Sequence, residues 1–129
     1  MTDQSHDSFF AQVGGHPTFA KLAHVFYQGV SRDDALKPMY PEDDLGPAEE
    51  RLRMFLEQYF GGPTTYSDTR GHPRLRMRHF PYPITHDARR RWLEHMTAAV
   101  DSLDLAPLQR ETMMDYFDRA ATAMLNTSE

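Results

Sequence analysis

The chain has 129 residues, 40% hydrophobic and 12% aromatic, which is enough for one domain with a single core and too few for two. Its 14 Lys and Arg against 19 Asp and Glu give a formal charge of −5. That disfavours a general nucleic-acid binder, because phosphate contacts need clustered positive charge. The absence of cysteine excludes a disulfide framework, a thiolate metal site, an iron–sulfur cluster and a cysteine nucleophile, and fits a reducing cytoplasm.

Residues 1–8 read as a disordered polar extension without the apolar segment of an export signal, and no run approaches the roughly 18 apolar residues of a membrane span. A cytoplasmic location is therefore expected, with neither membrane nor nucleic acid among the partners. Breakers cut the rest into helical pieces, and hardly any window alternates with the two-residue period of a strand, so the fold class is all-α. Phe9, Phe10 and Val13 predict a short first helix ended by Gly14-Gly15. Pro17 opens a second helix, whose inward face is Phe19, Leu22, Phe26 and Val30 with Tyr27 at its edge. The polar crossing from Ser31 to Asp44 is irregular, and Pro38 and Pro41 pin Tyr40 in a turn.

Gly46-Pro47 starts a third helix with Ala48, Leu52, Phe55, Leu56 and Tyr59 on one face and Glu49, Glu50, Arg53 and Glu57 largely on the other; Gly61-Gly62-Pro63 stops it. From Thr64 to Pro83 the density of Pro and Gly predicts little regular structure, and such a segment in so small a domain is usually functional. Thr85 is the predicted N-cap of a fourth helix, with Asp87 in its first turn and Trp92, Met96, Ala99 and Leu103 along one side. Pro107 opens a fifth, where Met113, Phe117, Ala120 and Met124 recur. Two antiparallel helix pairs around a flat cavity satisfy these patterns.

The segment His72-Pro-Arg-Leu-Arg-Met-Arg-His79-Phe-Pro-Tyr-Pro83 places histidines in a rigid, basic, apolar-lined stretch. An imidazole held this way is a candidate axial ligand for haem iron; Arg74, Arg76 and Arg78 could meet the propionates, and Leu75, Met77 and Phe80 could cover a porphyrin face. His72 rivals His79, but its backbone is restrained by Pro73, whereas His79 has the apolar neighbours. His24 and His95 lie within helices, and no paired-metal spacing occurs. Glu42, Asp43 and Asp44 lack the alternating oxygens and glycine of a calcium loop. The helical stripes by themselves signify ordinary core packing. Trp92 and Tyr27 would also be ordinary core residues were it not for their coincidence with His79 and Tyr40.

The double-glycine stops, Tyr40-Pro-Glu-Asp-Asp44, Glu49-Glu-Arg-Leu-Arg-Met-Phe-Leu-Glu-Gln-Tyr59, Gly71-His-Pro-Arg-Leu-Arg-Met-Arg-His79 and Trp92 together closely resemble the truncated haemoglobins of the second group, from about Phe9 to Asn126. The resemblance implies a two-over-two helical sandwich over residues 9–126 that holds haem b (iron protoporphyrin IX), with the helix carrying the proximal histidine mostly reduced to a loop. Carried onto this chain, the proximal iron ligand falls on His79, the distal polar residues on Tyr27, Tyr40 and Trp92, and an apolar cavity residue on Leu52. Ala48 falls where many other globins place a distal histidine. Phe60 departs from the tryptophan of some relatives.

Arg51, Arg53 and Arg78 are the candidate propionate partners, with Tyr66 as a further hydroxyl. Phe55, Leu56 and Met96 join Leu75, Met77 and Phe80 in the apolar set expected to bind the cofactor. The indole N–H of Trp92 can only donate, while the tyrosine hydroxyls can donate to a ligand or to each other. What the resemblance implies is a binder of dioxygen and other small ligands such as nitric oxide and carbon monoxide, whose slow release suits sensing, scavenging or redox chemistry better than bulk oxygen transport. The alternative it permits is an enzyme, a nitric-oxide dioxygenase or a peroxidase-like protein turning over peroxide, served by a reductase. A homodimer is implied by relatives alone.

Overall fold

The computed structural model describes residues 8–40, 44–79 and 81–127, without the side chain of residue 76. The expected N-terminal extension, Phe80 and the Glu42-Asp43 part of the acidic turn lie outside the described residues, apart from Ser8. Seven α-helices occur among the described residues: α1 (Phe9–Gln12), α2 (His16–Ser31), α3 (Gly46–Tyr59), α4 (Thr65–Arg70), α5 (Leu75–His79), α6 (His86–Asp101) and α7 (Pro107–Met124), with a 3-10 turn at Lys37–Met39.

Local chemistry sets the helix boundaries. Ser8 caps α1, its Oγ accepting from Ala11 N at 3.1 Å, and Thr85 caps α6 by accepting from Ala88 N at 3.0 Å, each satisfying a donor that the first turn leaves open. Pro17, Pro47 and Pro107 sit in the opening turns of α2, α3 and α7, where a missing N–H costs nothing. Gly14, at φ 113°, supplies the backbone conformation that ends α1.

Helix α2 packs on α3 and α6, α6 on α7, α4 on α3, and α5 on α7, giving the two-over-two arrangement. Phe19, Leu22, Phe26 and Val30 of α2 meet Leu56, Met96, Val100, Met113 and Phe117 in a core from which water is excluded; each such side chain contributes about 1.5–3 kcal/mol.

The stretch from Thr64 to Pro83 is more regular than its breakers predict, because the breakers fall between short helices. Gly71, at φ 76°, closes α4, and Leu75 to His79 is free of Gly and Pro, so one turn of helix fits. The Ser31–Asp44 crossing likewise contains the 3-10 turn.

Candidate functional site

A cavity of about 560 Å³ opens among α3, α5, α6, α7 and the crossing that follows α2, within the roughly 300–1,000 Å³ range of small-molecule and cofactor sites. His79 lines it from the end of α5. Its Nδ1 lies 2.7 Å from the carbonyl oxygen of Leu75. A carbonyl can only accept, so Nδ1 carries a proton, and in the neutral imidazole Nε2 then keeps its lone pair. No described residue is bonded to Nε2. Metal-ligating histidines are oriented in this way, by a bond from the other ring nitrogen. His72 has a different role: it is exposed, and its Nδ1 accepts from Arg74 N at 3.0 Å in a local turn.

The peptide after His79 is stapled to the end of α7 by Asn126. The Asn126 side chain accepts from Ile84 N at 2.9 Å and donates to Tyr82 O at 2.8 Å and His79 O at 3.4 Å, while its own N–H donates to Ile84 O at 3.2 Å. This long-range clamp had no signature in the sequence.

Tyr27, Tyr40, Ala48, Leu52 and Trp92 line the same cavity. The rings of Tyr27 and Tyr40 meet edge-on, with centroids 5.5 Å apart, and their hydroxyls share a hydrogen bond. Burial pushes the Tyr40 hydroxyl up to about 12, against the opposing pull of the bond from Tyr27. Tyr40 as a whole is half-buried, while its hydroxyl is enclosed. Trp92 packs edge-on against Phe26 at 5.3 Å and Phe117 at 5.9 Å. Its indole N–H has no hydrogen-bond partner among the described residues and is available as a donor.

Leu52, Phe55 and Leu56 of α3, Leu75 of α5, and Phe117, Ala120 and Met124 of α7 supply apolar walls, with Ala48 and Ala88 leaving width for a flat group. Arg51, Arg78, Arg70 and Arg89 also line the cavity, together with Tyr66 and Tyr82. Arg78 Nε donates to Pro73 O at 2.8 Å, the Arg70 guanidinium stands 5.9 Å over the Tyr66 ring, and Arg89 is held by Asp118 at 2.6 Å and Thr122 at 2.9 Å. Of these, Arg70, Arg89 and Tyr82 were not among the expected site residues: nothing in residue type distinguishes a cavity arginine such as Arg70 or Arg89 from one on a solvated surface, and Tyr82 lies between two prolines with no helical period to place it.

Three expected site residues stand outside the cavity. Arg53 turns to Glu57, donating to both carboxylate oxygens at 3.1 Å, because Glu57 is only 4% exposed and a buried carboxylate needs a counter-charge. Met77 is 59% exposed: in a single helical turn Leu75 and His79 share a face, and the residue midway between them points away. Met96 is sealed within the core, a turn beyond Trp92 on α6. Among the described residues no group of three or more His, Asp or Glu converges on a point, and no helix is long and apolar enough to cross a membrane.

A bacterial-like globin family model matches residues 8–126. The chain is 36% identical to the group 2 truncated hemoglobin YjbI of Bacillus subtilis over 115 residues, 89% of this chain and 86% of that protein. The chain belongs to the group II truncated haemoglobins. Among solved structures, that of the thermostable hemoglobin from the actinobacterium Thermobifida fusca matches with a TM-score of 0.92 at 59% identity, covering 95% of this chain and 99% of that one. The group II truncated hemoglobin from Bacillus anthracis matches at 0.90 and 35% identity, covering 95% and 98%. As a truncated haemoglobin the chain has the two-over-two fold and is a haem protein that binds small ligands such as dioxygen. The donor set suits that cofactor: one imidazole with an unshared Nε2 lone pair, an apolar slot of suitable volume, and guanidinium groups for its carboxylates.

Proposed function

We propose that this truncated haemoglobin holds haem b through His79 Nε2 and retains dioxygen by hydrogen bonds from Trp92 and Tyr40. The observation that carries this reading is the His79 ring itself, with Nδ1 committed to Leu75 O at 2.7 Å and Nε2 unpartnered among the described residues on the cavity wall. One imidazole, that of His79, would be the protein's ligand to a haem held in this cavity. When bound, haem supplies an iron position at which a diatomic ligand takes on partial negative charge.

The chain's own residues do the rest. Asn126 and Leu75 O fix the direction of the imidazole, as a supporting shell does for any ligating histidine. Arg51, Arg70 and Arg78, with the Tyr66 hydroxyl, meet the propionates. Leu52, Phe55 and Phe117 exclude water, so each polar bond inside is stronger than it would be in solvent. Trp92 donates its indole proton to the ligand, and Tyr27 donates to Tyr40 so that the Tyr40 proton is turned towards the ligand. A bond to a charged acceptor is worth about 1.5–3 kcal/mol, so each donor slows release roughly tenfold to a hundredfold. Slow release favours sensing, scavenging or redox use over bulk transport. Carbon monoxide and nitric oxide fit the same space, and turnover of nitric oxide or peroxide would need electrons from a reductase.

The test is titration of the haem-free protein with haem, followed by melting and by stopped-flow dioxygen release. Stoichiometric binding, a melting temperature raised by ligand linkage and slow release that Trp92→Phe accelerates are expected. A melting curve unmoved by excess haem contradicts the reading.

A further inference from the structure

Tyr116 lines the cavity from α7, and its ring lies flat against Tyr59, with centroids 4.0 Å apart and planes 30° apart. Tyr59, at the end of α3, is 49% exposed. Two phenols in van der Waals contact therefore connect the cavity wall to the protein surface. Phe60 braces both edge-on, 5.0 Å from Tyr59 and 5.6 Å from Tyr116, and Phe55 leans on Tyr59 at 6.3 Å. Ring packing alone would be served as well by phenylalanine; a hydroxyl on each of the stacked rings adds redox chemistry, because a phenol can lose an electron and a proton together. Burial, and then the nearby Tyr59 phenol, push the Tyr116 hydroxyl up to about 12, with Arg119 pulling the other way. The Tyr116 proton thus stays in place until an electron leaves.

We infer that Tyr116 and Tyr59 form a one-electron relay from the cavity to the surface, and that the exposed edge of Tyr59 is an oxidation site for phenolic reductants too bulky to enter the cavity. This rests on the haem reading above, with a peroxide as the oxidant. Hydrogen peroxide takes two electrons and two protons to become two waters. Tyr116 gives an electron inward and releases its proton; Tyr59 refills it with one electron and one proton; an external phenol then restores Tyr59 in the same way. Two such passages per peroxide leave two phenoxyl radicals outside the protein. Electron exchange falls steeply with distance, so rings in contact are the favoured route. Of the other cavity tyrosines, Tyr27 and Tyr66 are buried, while Tyr40 and Tyr82, both partly exposed, are the rival exits.

The test is to load the protein with haem, record the Soret band, add one equivalent of hydrogen peroxide with a nitroso spin trap, and map the trapped radical by peptide mass spectrometry. The expected result is a label on Tyr59 in the wild type that is lost in Tyr116→Phe. In parallel, Tyr59→Phe is expected to keep the carbon-monoxide spectrum while losing oxidation of a dextran-tethered phenol. A normal Soret band with the label on Tyr82 or Tyr40 in place of Tyr59, or a Tyr59 label undiminished in Tyr116→Phe, overturns the relay and leaves the haem reading standing. Absence of a ligand-sensitive Soret band overturns both.

Discussion

Tyr40→Phe is expected to lessen the loss of stability that the wild-type protein undergoes in alkaline solution. In the folded protein burial raises the Tyr40 hydroxyl from 10.0 to about 12, only partly offset by Tyr27, whereas in the unfolded chain it titrates near 10. Between those values the folded state holds a proton that the unfolded state has released. Stability is therefore fully present below pH 10 and falls as pH rises towards 12. At about 1.36 kcal/mol per pH unit the total is on the order of 3 kcal/mol, about half of it gone by pH 11. The substitution also removes the partner of Tyr27, costing about 1 kcal/mol at neutral pH. Urea unfolding of both proteins from pH 8 to pH 11.5 should show the wild type more stable at pH 8 and the difference shrinking, then reversing, above pH 10. Contributions common to both chains, including that of Tyr116, cancel in the difference. Parallel curves over the whole range would refute the burial of the Tyr40 hydroxyl and with it the claim that a protonated donor persists in the cavity.

Trp92→Phe keeps a ring against Phe26 and Phe117 but removes the indole donor, and should speed dioxygen release roughly tenfold to a hundredfold in stopped-flow mixing; an unchanged rate would assign retention to the tyrosines. Asn126→Ala leaves the backbone groups of Tyr82 and Ile84 without their clamp and should cost about 1–3 kcal/mol in urea unfolding, with faster haem loss to an acceptor globin; haem loss at the wild-type rate would show that Asn126 does not steady His79. Burial would raise the Asp33 carboxyl, but bonds from His95, Ala35 and Leu36 and the charge of Arg91 outweigh it and hold it below its ordinary value. The stability it contributes is thus present above the usual carboxylate range and lost as pH falls through the lowered value, so Asp33→Asn should flatten the acid limb of the stability curve; an acid limb as steep as that of the wild type counts against it. In Gly29→Ala the new methyl would lie 2.5 Å from His95 Nδ1, forcing the imidazole off Asp33; about 1–3 kcal/mol of destabilisation is expected, and a neutral result would mean that His95 is free to swing.

How far the sequence could be read depended on the range of the interaction involved. Helices α2, α3, α6 and α7 were legible because prolines and glycines mark their ends and a 3.6-residue stripe marks their faces. Helices α4 and α5, of six and five residues, are too short to persist on local propensity and form because α3 and α7 hold them, so a reading of breakers expected loop. At the site, residue type identified donors and cations, but not which way they face. Arg53 and Arg51 lie two residues apart on α3: Arg51 lines the cavity, while Arg53 is drawn to Glu57, whose burial no local pattern announces. Met77 and Leu75 are likewise two apart, and only the helical turn, unforeseen, separates them. Asn126 reaches 47 residues back to His79, a contact that exists only once the chain has folded.

Histidine ligation of the haem iron is tested most directly by the visible spectrum of the purified protein with stoichiometric haem, in ferric, ferrous and carbon-monoxide forms, beside His79→Ala and His72→Ala. A sharp, ligand-sensitive Soret band, kept in His72→Ala and lost or shifted in His79→Ala, is the predicted result. A band untouched by His79→Ala would contradict it, and its loss in His72→Ala would move the iron ligand to the other end of the same segment.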